Sequence, residues 1–326
     1  MPCVSKSPLI SAPRRQAATT RVKVALVATA AFSVFCLFSP AQASESSGAS
    51  QSNAATPATT LPVRHHKPTT WAEWEDCTRG LTKKVTGERL RVEGYETRPT
   101  VLQRAADTDA PLVVMLHGAN GCIEKLQSQT DIEEIATAWG VSLLWASGAQ
   151  LGGRWWNVNG RCCGKAADAN TDDYAYIRAA LKYVRSLGLN PRRVVVVGKS
   201  NGGGMAVGVG CALQGEVDVV VSASGFKGSS CRGTGVSLMA IGGTEDKKLG
   251  AAEATKIATF WRNGPLSCSP KHKREMRKTA AISTWRCQDG RFVRLVVLKG
   301  MEHLWPTYSY FSADEEVLRI ARGELP

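Results

Sequence analysis

The stretch VVVVGKSNGGGMA, Val194–Ala206, decides the fold of this 326-residue chain. Its four valines are typical of a short strand buried inside a parallel sheet, and the residues that follow are compatible with a helix. Ser200 stands at the junction, with Gly198 and Gly202 two positions away on either side. Such glycines let a strand and a helix approach closely around a strained turn that lifts the serine hydroxyl above the sheet edge. We interpret the turn as a nucleophile elbow; the alternative is a tight turn with a structural role alone.

The segments around this stretch alternate between apolar strands and amphipathic helices. Alternation of this kind predicts a mostly parallel central sheet with helices on both faces, an α/β architecture. The predicted strands are residues 112–118, 141–147, 217–224, 236–243 and 291–298, and the predicted helices are residues 131–140, 172–191, 201–213, 250–262 and 313–322.

The N-terminal residues have the pattern of a secretory signal. Five basic residues precede the apolar run VALVATAAFSVFCLF, and the small residues AQA follow at 41–43. We therefore predict a signal peptide at 1–43, a flexible Ser/Ala/Thr-rich linker at 44–70 and a single catalytic domain at 71–326. The mature protein is expected to be secreted or periplasmic, with no membrane anchor after the signal is cleaved.

The composition argues against several classes of function. The formal net charge is +13 at pH 7, but the basic residues are scattered apart from a cluster at 271–278 that is typical of a solvated face. No nucleic-acid-binding motif accompanies them, so we predict no nucleic-acid partner. Neither a phosphate-binding G-x-x-x-x-G-K-[ST] loop nor a repeated C-x-x-C with histidine occurs, so no nucleotide or metal site is predicted. We expect a monomer.

Eight cysteines follow the signal, an even number that indicates disulfides in an exported protein. The adjacent pair at 162–163 is expected to have separate partners, because a bond between neighbours is strained. The partners of Cys77 and Cys122 stay open. The local pairs that we predict are Cys268 with Cys287 and Cys211 with Cys231.

A serine nucleophile needs a base, and the base needs a group that orients it. His303 follows the last predicted strand and can reach the sheet edge where Ser200 must lie, whereas His117 is expected to shape a loop. Asp246 follows another strand end and is the predicted acid, with Glu245 as the alternative. The order Ser200, Asp246, His303 is that of α/β-hydrolases.

An oxyanion hole requires two backbone N–H groups directed at the developing charge. Asn201 supplies one as the residue after the nucleophile. The loop after the strand at 112–118 supplies the other, from Ala119 or Asn120.

Several motifs together resemble one family. They are LVVMLHGANG, RWWNVNGRCCGKA, DDYAYIRAAL, NPRRVVVVGKSNGGGMA, GGTED and GMEHLWP, which span roughly residues 85–310. In these the chain resembles the secreted esterase family of polyhydroxybutyrate depolymerases and feruloyl esterases. The resemblance implies an α/β-hydrolase fold, a triad at Ser200, Asp246 and His303, no cofactor, and hydrolysis of polyester, feruloyl or acetyl esters on polymers or oligomers.

Candidates for the substrate wall are Trp155, Trp156 and Trp305, since aromatic rings stack on phenolic or sugar rings. A place in the core is an equal alternative for the pair at 155–156. Lys199 is a further candidate: facing the cleft it would attract a carboxylate, although an outward direction is the preferred expectation. Two other functions stay open, namely a non-catalytic wall- or polymer-binding protein, and a peptidase or thioesterase with the same triad.

Overall fold

The structure, a computed structural model, describes residues 86–151, 153–160, 162–228, 231 and 235–325. The predicted signal peptide and linker lie outside these residues. The strands are β1 (Glu88–Arg89), β2 (Thr100–Gln103), β3 (Leu112–Leu116), β4 (Ser142–Ala146), β5 (Ala149–Gln150), β6 (Arg154–Trp155), β7 (Val194–Lys199), β8 (Val219–Ala223), β9 (Ser237–Gly243), β10 (His272–Arg277), β11 (Ala280–Arg286), β12 (Phe292–Leu298), β13 (Thr307–Tyr308) and β14 (Phe311–Ser312). The helices are α1 (Ile123–Gln127), α2 (Ile132–Trp139), α3 (Gly164–Asp168), α4 (Asp173–Ser186), α5 (Asn201–Ala212), α6 (Ala251–Asn263) and α7 (Ala313–Arg322).

One large sheet organises the described residues, in the strand order β1-β2-β4-β3-β7-β8-β9-β12-β11-β10. The pairings from β4 to β12 are all parallel, whereas β1 and β2 at one edge and β10 and β11 at the other are antiparallel additions. All the predicted strands lie in the parallel part. β7 is flanked by β3 and β8, so its carboxyl end lies near the middle of the sheet edge.

Alternate residues of the central strands point into two separate apolar cores, as the period of a strand requires. On one face, Val194 and Val196 belong to a core that includes residues of α4, α5 and α6. On the other face, Val195 and Val197 pack in a core with residues of α2 and α7. Because helices cover both faces of the sheet, all four valines of β7 are buried. This explains why the strand's sequence is a continuous apolar run rather than an alternating one.

One predicted helix is shorter in the structure, because a glycine in a left-handed conformation follows its end. The helix predicted at 172–191 ends at Ser186, and Gly188 has a φ of +85°, a conformation that glycine adopts without strain. Its N-terminus is capped by Asp172, whose side chain accepts a hydrogen bond from the Ala175 N–H at 2.9 Å. Among the described residues, no helix is long and apolar enough to cross a membrane.

Disulfides join the two predicted pairs, Cys211–Cys231 and Cys268–Cys287, and Cys122 is also disulfide-bonded. The prediction of separate partners for the adjacent cysteines is wrong, because Cys162 and Cys163 are bonded to each other. They lie in one tight loop, closed by main-chain hydrogen bonds from the Val158 N–H to the Cys162 carbonyl and from the Cys163 N–H to the Trp156 carbonyl. This loop holds the two sulfurs together.

Candidate active site

Ser200 stands between β7 and α5 with a φ of 56° and a ψ of −117°, a strained conformation for a residue other than glycine. The turn is possible because the residues two positions away on either side, Gly198 and Gly202, have no side chains. A Cβ on Gly202 would lie 2.4 Å from the Leu116 and His117 carbonyl oxygens, and one on Gly198 would lie 2.1 Å from the Gly202 carbonyl oxygen. The helix therefore starts in direct contact with β3 and β7, and the serine stands at its N-terminus.

His303 and Asp246 meet at the same sheet edge. Asp246 follows β9 and His303 follows β12, which pair as parallel neighbours, and His303 Nδ1 lies 2.8 Å from Asp246 Oδ2. The other carboxylate oxygen, Oδ1, accepts hydrogen bonds from the N–H groups of Lys248 at 2.9 Å and Leu249 at 3.0 Å. Glu245, the alternative acid, is exposed, and its N–H donates to the Met301 carbonyl. The structure therefore brings Asp246 rather than Glu245 to the histidine.

The electrostatics of Asp246 keep its carboxylate ionised. Burial alone would raise its pKa, but the hydrogen bonds from Leu249, His303 and Lys248 outweigh that effect and hold the pKa below its ordinary value. An ionised carboxylate next to Nδ1 favours the imidazole tautomer that carries its proton on that nitrogen. Nε2 is then free to accept a proton.

Ser200 and His303 line one cavity of about 300 Å³. The loop after β3 forms another part of its wall through Gly118, Ala119 and Gly121. The cavity lies at the carboxyl ends of the parallel strands, where open α/β sheets bind their ligands.

His117 holds the loop after β3 in place. It is 1% exposed, its Nδ1 lies 2.7 Å from the Gly118 carbonyl oxygen, and its Nε2 accepts from the Gly148 N–H at 3.0 Å. Burial lowers the pKa of His117 to about 4, and the positive charge of Arg154 acts in the same direction. The imidazole is therefore neutral at pH 7, with Nδ1 as the donor, and its place is that of a loop-shaping residue.

The candidate oxyanion donors differ in availability. The Asn120 N–H donates to the Arg154 carbonyl at 2.8 Å, so its prediction as an oxyanion donor is wrong, because the loop uses this N–H for its own hydrogen bond. Ala119 lines the cavity. Asn201 is the first residue of α5, where N–H groups have no partner within the helix, and its side chain is held by the Trp156 main chain through bonds of 2.8 and 3.0 Å.

The tryptophans do not form the cavity wall. Trp156 is fully buried and donates from Nε1 to the His117 carbonyl at 2.8 Å, while Trp305 is 5% exposed and donates to Asp314 Oδ1 at 2.9 Å. Their prediction as substrate-binding residues is wrong, because both rings fill the cores and find polar partners there. For Trp156 the alternative, a place in the core, is confirmed. Trp155 is half-buried, does not line the cavity and covers Gly164.

The side chain of Lys199 faces the cavity, so the preferred expectation that it points outward is wrong. Its side chain is partly buried and its Nζ donates to Gln129 Oε1 at 2.7 Å. Two further lysines line the same cavity, Lys125 on α1 and Lys248 in the loop after β9. Sequence reasoning missed both, because an exposed lysine carries no local signal of the cavity that it lines.

Among the described residues, no group of three or more His, Cys, Asp or Glu side chains is arranged to hold a metal ion. The chemistry of this site is that of a serine, a histidine and a carboxylate, together with main-chain N–H groups. Such a set is suited to acyl transfer.

No protein-family model matches the chain. Among solved structures, an acetyl xylan esterase from Aspergillus awamori superposes with a TM-score of 0.55 at 13% identity, covering 70% of this chain and 94% of that one. The chain has an α/β-hydrolase fold. A carboxylesterase from Bacillus cereus aligns with a TM-score of 0.48 at 15% identity, over 72% of this chain and 95% of that one.

A relative is found by sequence as well. The α/β-hydrolase chain is 32% identical over 120 residues to feruloyl esterase B of Piromyces equi. The match covers 36% of this chain and spans about a fifth, 21%, of that enzyme's length. The predicted fold class is thus confirmed, and the activity is a matter for proposal.

Proposed function

We propose that this protein is an exported serine esterase that hydrolyses carboxylic esters of polymers or oligomers, such as hydroxyalkanoate, feruloyl or acetyl esters. One observation carries the proposal: the 2.8 Å hydrogen bond between His303 and Asp246 lies at the cavity that Ser200 also lines. The likenesses to a feruloyl esterase and an acetyl xylan esterase support the substrate class.

The proposed reaction has two halves. Ser200 Oγ attacks the ester carbonyl while His303 Nε2 takes the hydroxyl proton, and the tetrahedral intermediate expels the alcohol, which receives that proton. Water then attacks the acyl-enzyme by the same route and releases the acid. Asp246 keeps the imidazole in its tautomer and stabilises the imidazolium that forms in each half. The N–H groups of Asn201 and Ala119 would hold the oxyanion.

Export and partners belong to the same proposal. The disulfides Cys162–Cys163, Cys211–Cys231 and Cys268–Cys287 are typical of proteins in oxidising compartments, which supports a secreted or periplasmic location after removal of residues 1–43. The substrate is the proposed partner, the protein acts as a monomer, and the reaction needs no cofactor, nucleic acid or membrane.

The test is hydrolysis of 4-nitrophenyl acetate and butyrate by purified protein and by single variants. Ser200→Ala should lower kcat by about a millionfold, because the nucleophile is lost, and Asp246→Asn should lower it by about ten-thousandfold, because the imidazole then loses its correct tautomer. Glu245→Gln and the exposed Ser186→Ala are matched controls that should retain activity. Binding to an insoluble polyester without turnover would instead support a binding protein, and faster cleavage of an amide or thioester would support a peptidase or thioesterase.

A further inference from the structure

The cavity that contains Ser200 has an unbalanced charge. Among the described residues that line it, three are lysines, Lys125, Lys199 and Lys248, and none is an aspartate or glutamate. The carboxylate of Asp246, which is close enough to act on the charge of Lys199, already accepts hydrogen bonds from His303 and from two main-chain N–H groups. The wall around the nucleophile is therefore cationic.

Lys199 is the innermost of the three. Its ammonium donates to the neutral amide oxygen of Gln129, and a lysine ammonium has three N–H donors, so donors remain for an anion in the cavity. Burial lowers the pKa of Lys199, and the charge of Lys125 lowers it further, while Asp246 opposes the shift and Lys248 adds to it. The ammonium of Lys199 is therefore partly buried beside two other cations, and it forms no salt bridge with a carboxylate among the described residues.

We propose that Lys125, Lys199 and Lys248 form an anion subsite that makes the enzyme prefer esters carrying a carboxylate close to the scissile bond. The inference rests on the proposed esterase function and narrows its substrate class. A cavity of about 300 Å³ is at the small end for a ligand site, so a carboxylate on the bound ester lies within a few ångströms of the ammonium groups. Attraction over that distance is strong enough to change kcat/KM by about tenfold and is screened by salt.

Two isosteric pairs of esters test the subsite. Monoethyl succinate and ethyl succinamate differ by a carboxylate or a carboxamide on the acyl side, and acetoxyacetate and acetoxyacetamide differ in the same way on the alcohol side. The measured quantity is the ratio of kcat/KM for the acid to that for the amide. We expect a ratio of about ten or more for at least one pair at low ionic strength, falling at high salt. The pair that responds identifies the side of the ester that carries the charge.

Single substitutions assign the effect to the lysines. Lys125→Gln, Lys199→Gln and Lys248→Gln should each lower the ratio by about threefold, and Lys248→Glu should lower it further. Lys247→Gln is the matched control, since Lys247 is an exposed lysine beside Lys248 that does not line the cavity. If Lys199→Gln fails to fold, the exposed positions 125 and 248 still decide the question.

The outcomes separate the subsite from the esterase. Ratios near one for both pairs, with 4-nitrophenyl acetate still hydrolysed through Ser200, would overturn the subsite and leave the esterase standing. A high ratio that none of the three glutamine variants changes would overturn the assignment to these lysines. If the wild-type protein hydrolyses none of these esters, the proposed esterase function is contradicted.

Discussion

At the scale of single residues, Gly202 determines whether the turn at Ser200 can form. A methyl group there would lie 2.4 Å from two main-chain oxygens of β3 and the following loop, and those oxygens cannot move without moving the strand. We expect Gly202→Ala to lower the free energy of unfolding by about 3 kcal/mol, measured by denaturant titration.

Gly140 supplies the control for that substitution. It has a φ of +63° at the end of α2, and nothing lies within 4 Å of a Cβ placed on it. Gly140→Ala should therefore cost only the backbone strain, about 1 kcal/mol. An equal cost at both positions would mean that close contact with β3 does not shape the elbow.

Residues at strand ends could be predicted from the sequence. Ser200, Asp246 and His303 each follow a recognisable apolar strand, and parallel strands bring such positions to one edge. The sequence left two alternatives for Trp156, because its burial depends on a partner 39 positions away, His117. The burial of Trp305 was not predicted, since no local pattern reveals its hydrogen bond to Asp314. The same holds for the direction of Lys199.

At the scale of elements, the loop after β3 depends on a neutral histidine. Burial lowers the pKa of His117 to about 4, below its ordinary value of 6.5, so the folded protein binds this proton less readily than the unfolded chain. Its contribution to stability is therefore complete above pH 6.5 and is lost as the pH falls towards 4. The loss amounts to about 3 kcal/mol.

Thermal unfolding between pH 7 and pH 4 measures this effect. The wild-type Tm should fall over that range, and His117→Gln, which cannot take up the proton, should start lower and fall less. Parallel declines for the two proteins would show that another group governs the pH dependence.

A second element, the β10–β11 hairpin, is closed at its base by Cys268–Cys287. The bond links residues 19 positions apart, and constraint of the unfolded chain over a loop of that length is worth about 3 kcal/mol. The double variant Cys268→Ser/Cys287→Ser should lose about this much stability at equilibrium in denaturant. Equal stability of the variant and the oxidised wild type would contradict the stabilising role of the bond.

The pairing of Cys268 with Cys287 was predicted from the sequence and is confirmed. The short antiparallel strands β1 and β2 were not predicted, because a strand of two to four residues carries too little periodicity to detect. The prediction that Cys162 and Cys163 have separate disulfide partners was wrong for a similar reason. The tight loop in which they lie depends on main-chain hydrogen bonds that no local pattern reveals.

At the scale of the whole molecule, the two cores serve the site by fixing the sheet edge. Five parallel pairings, packed by helices on both faces, hold the ends of β3, β7, β9 and β12 in register. The residues that follow these strands are the proposed oxyanion donors, nucleophile, acid and base. The proposed chemistry therefore depends on the sheet as a unit, and the reactivity of one serine reports on the entire arrangement.

The most direct measurement is the reaction of folded protein with a fluorophosphonate, followed by intact-mass and peptide mass spectrometry. We predict one adduct per molecule, located on Ser200, and none on Ser200→Ala or on urea-unfolded wild type, because the hydroxyl needs His303 to become nucleophilic. An unlabelled folded protein, or an adduct on another serine that persists in Ser200→Ala, would contradict the assignment of Ser200 as the nucleophile.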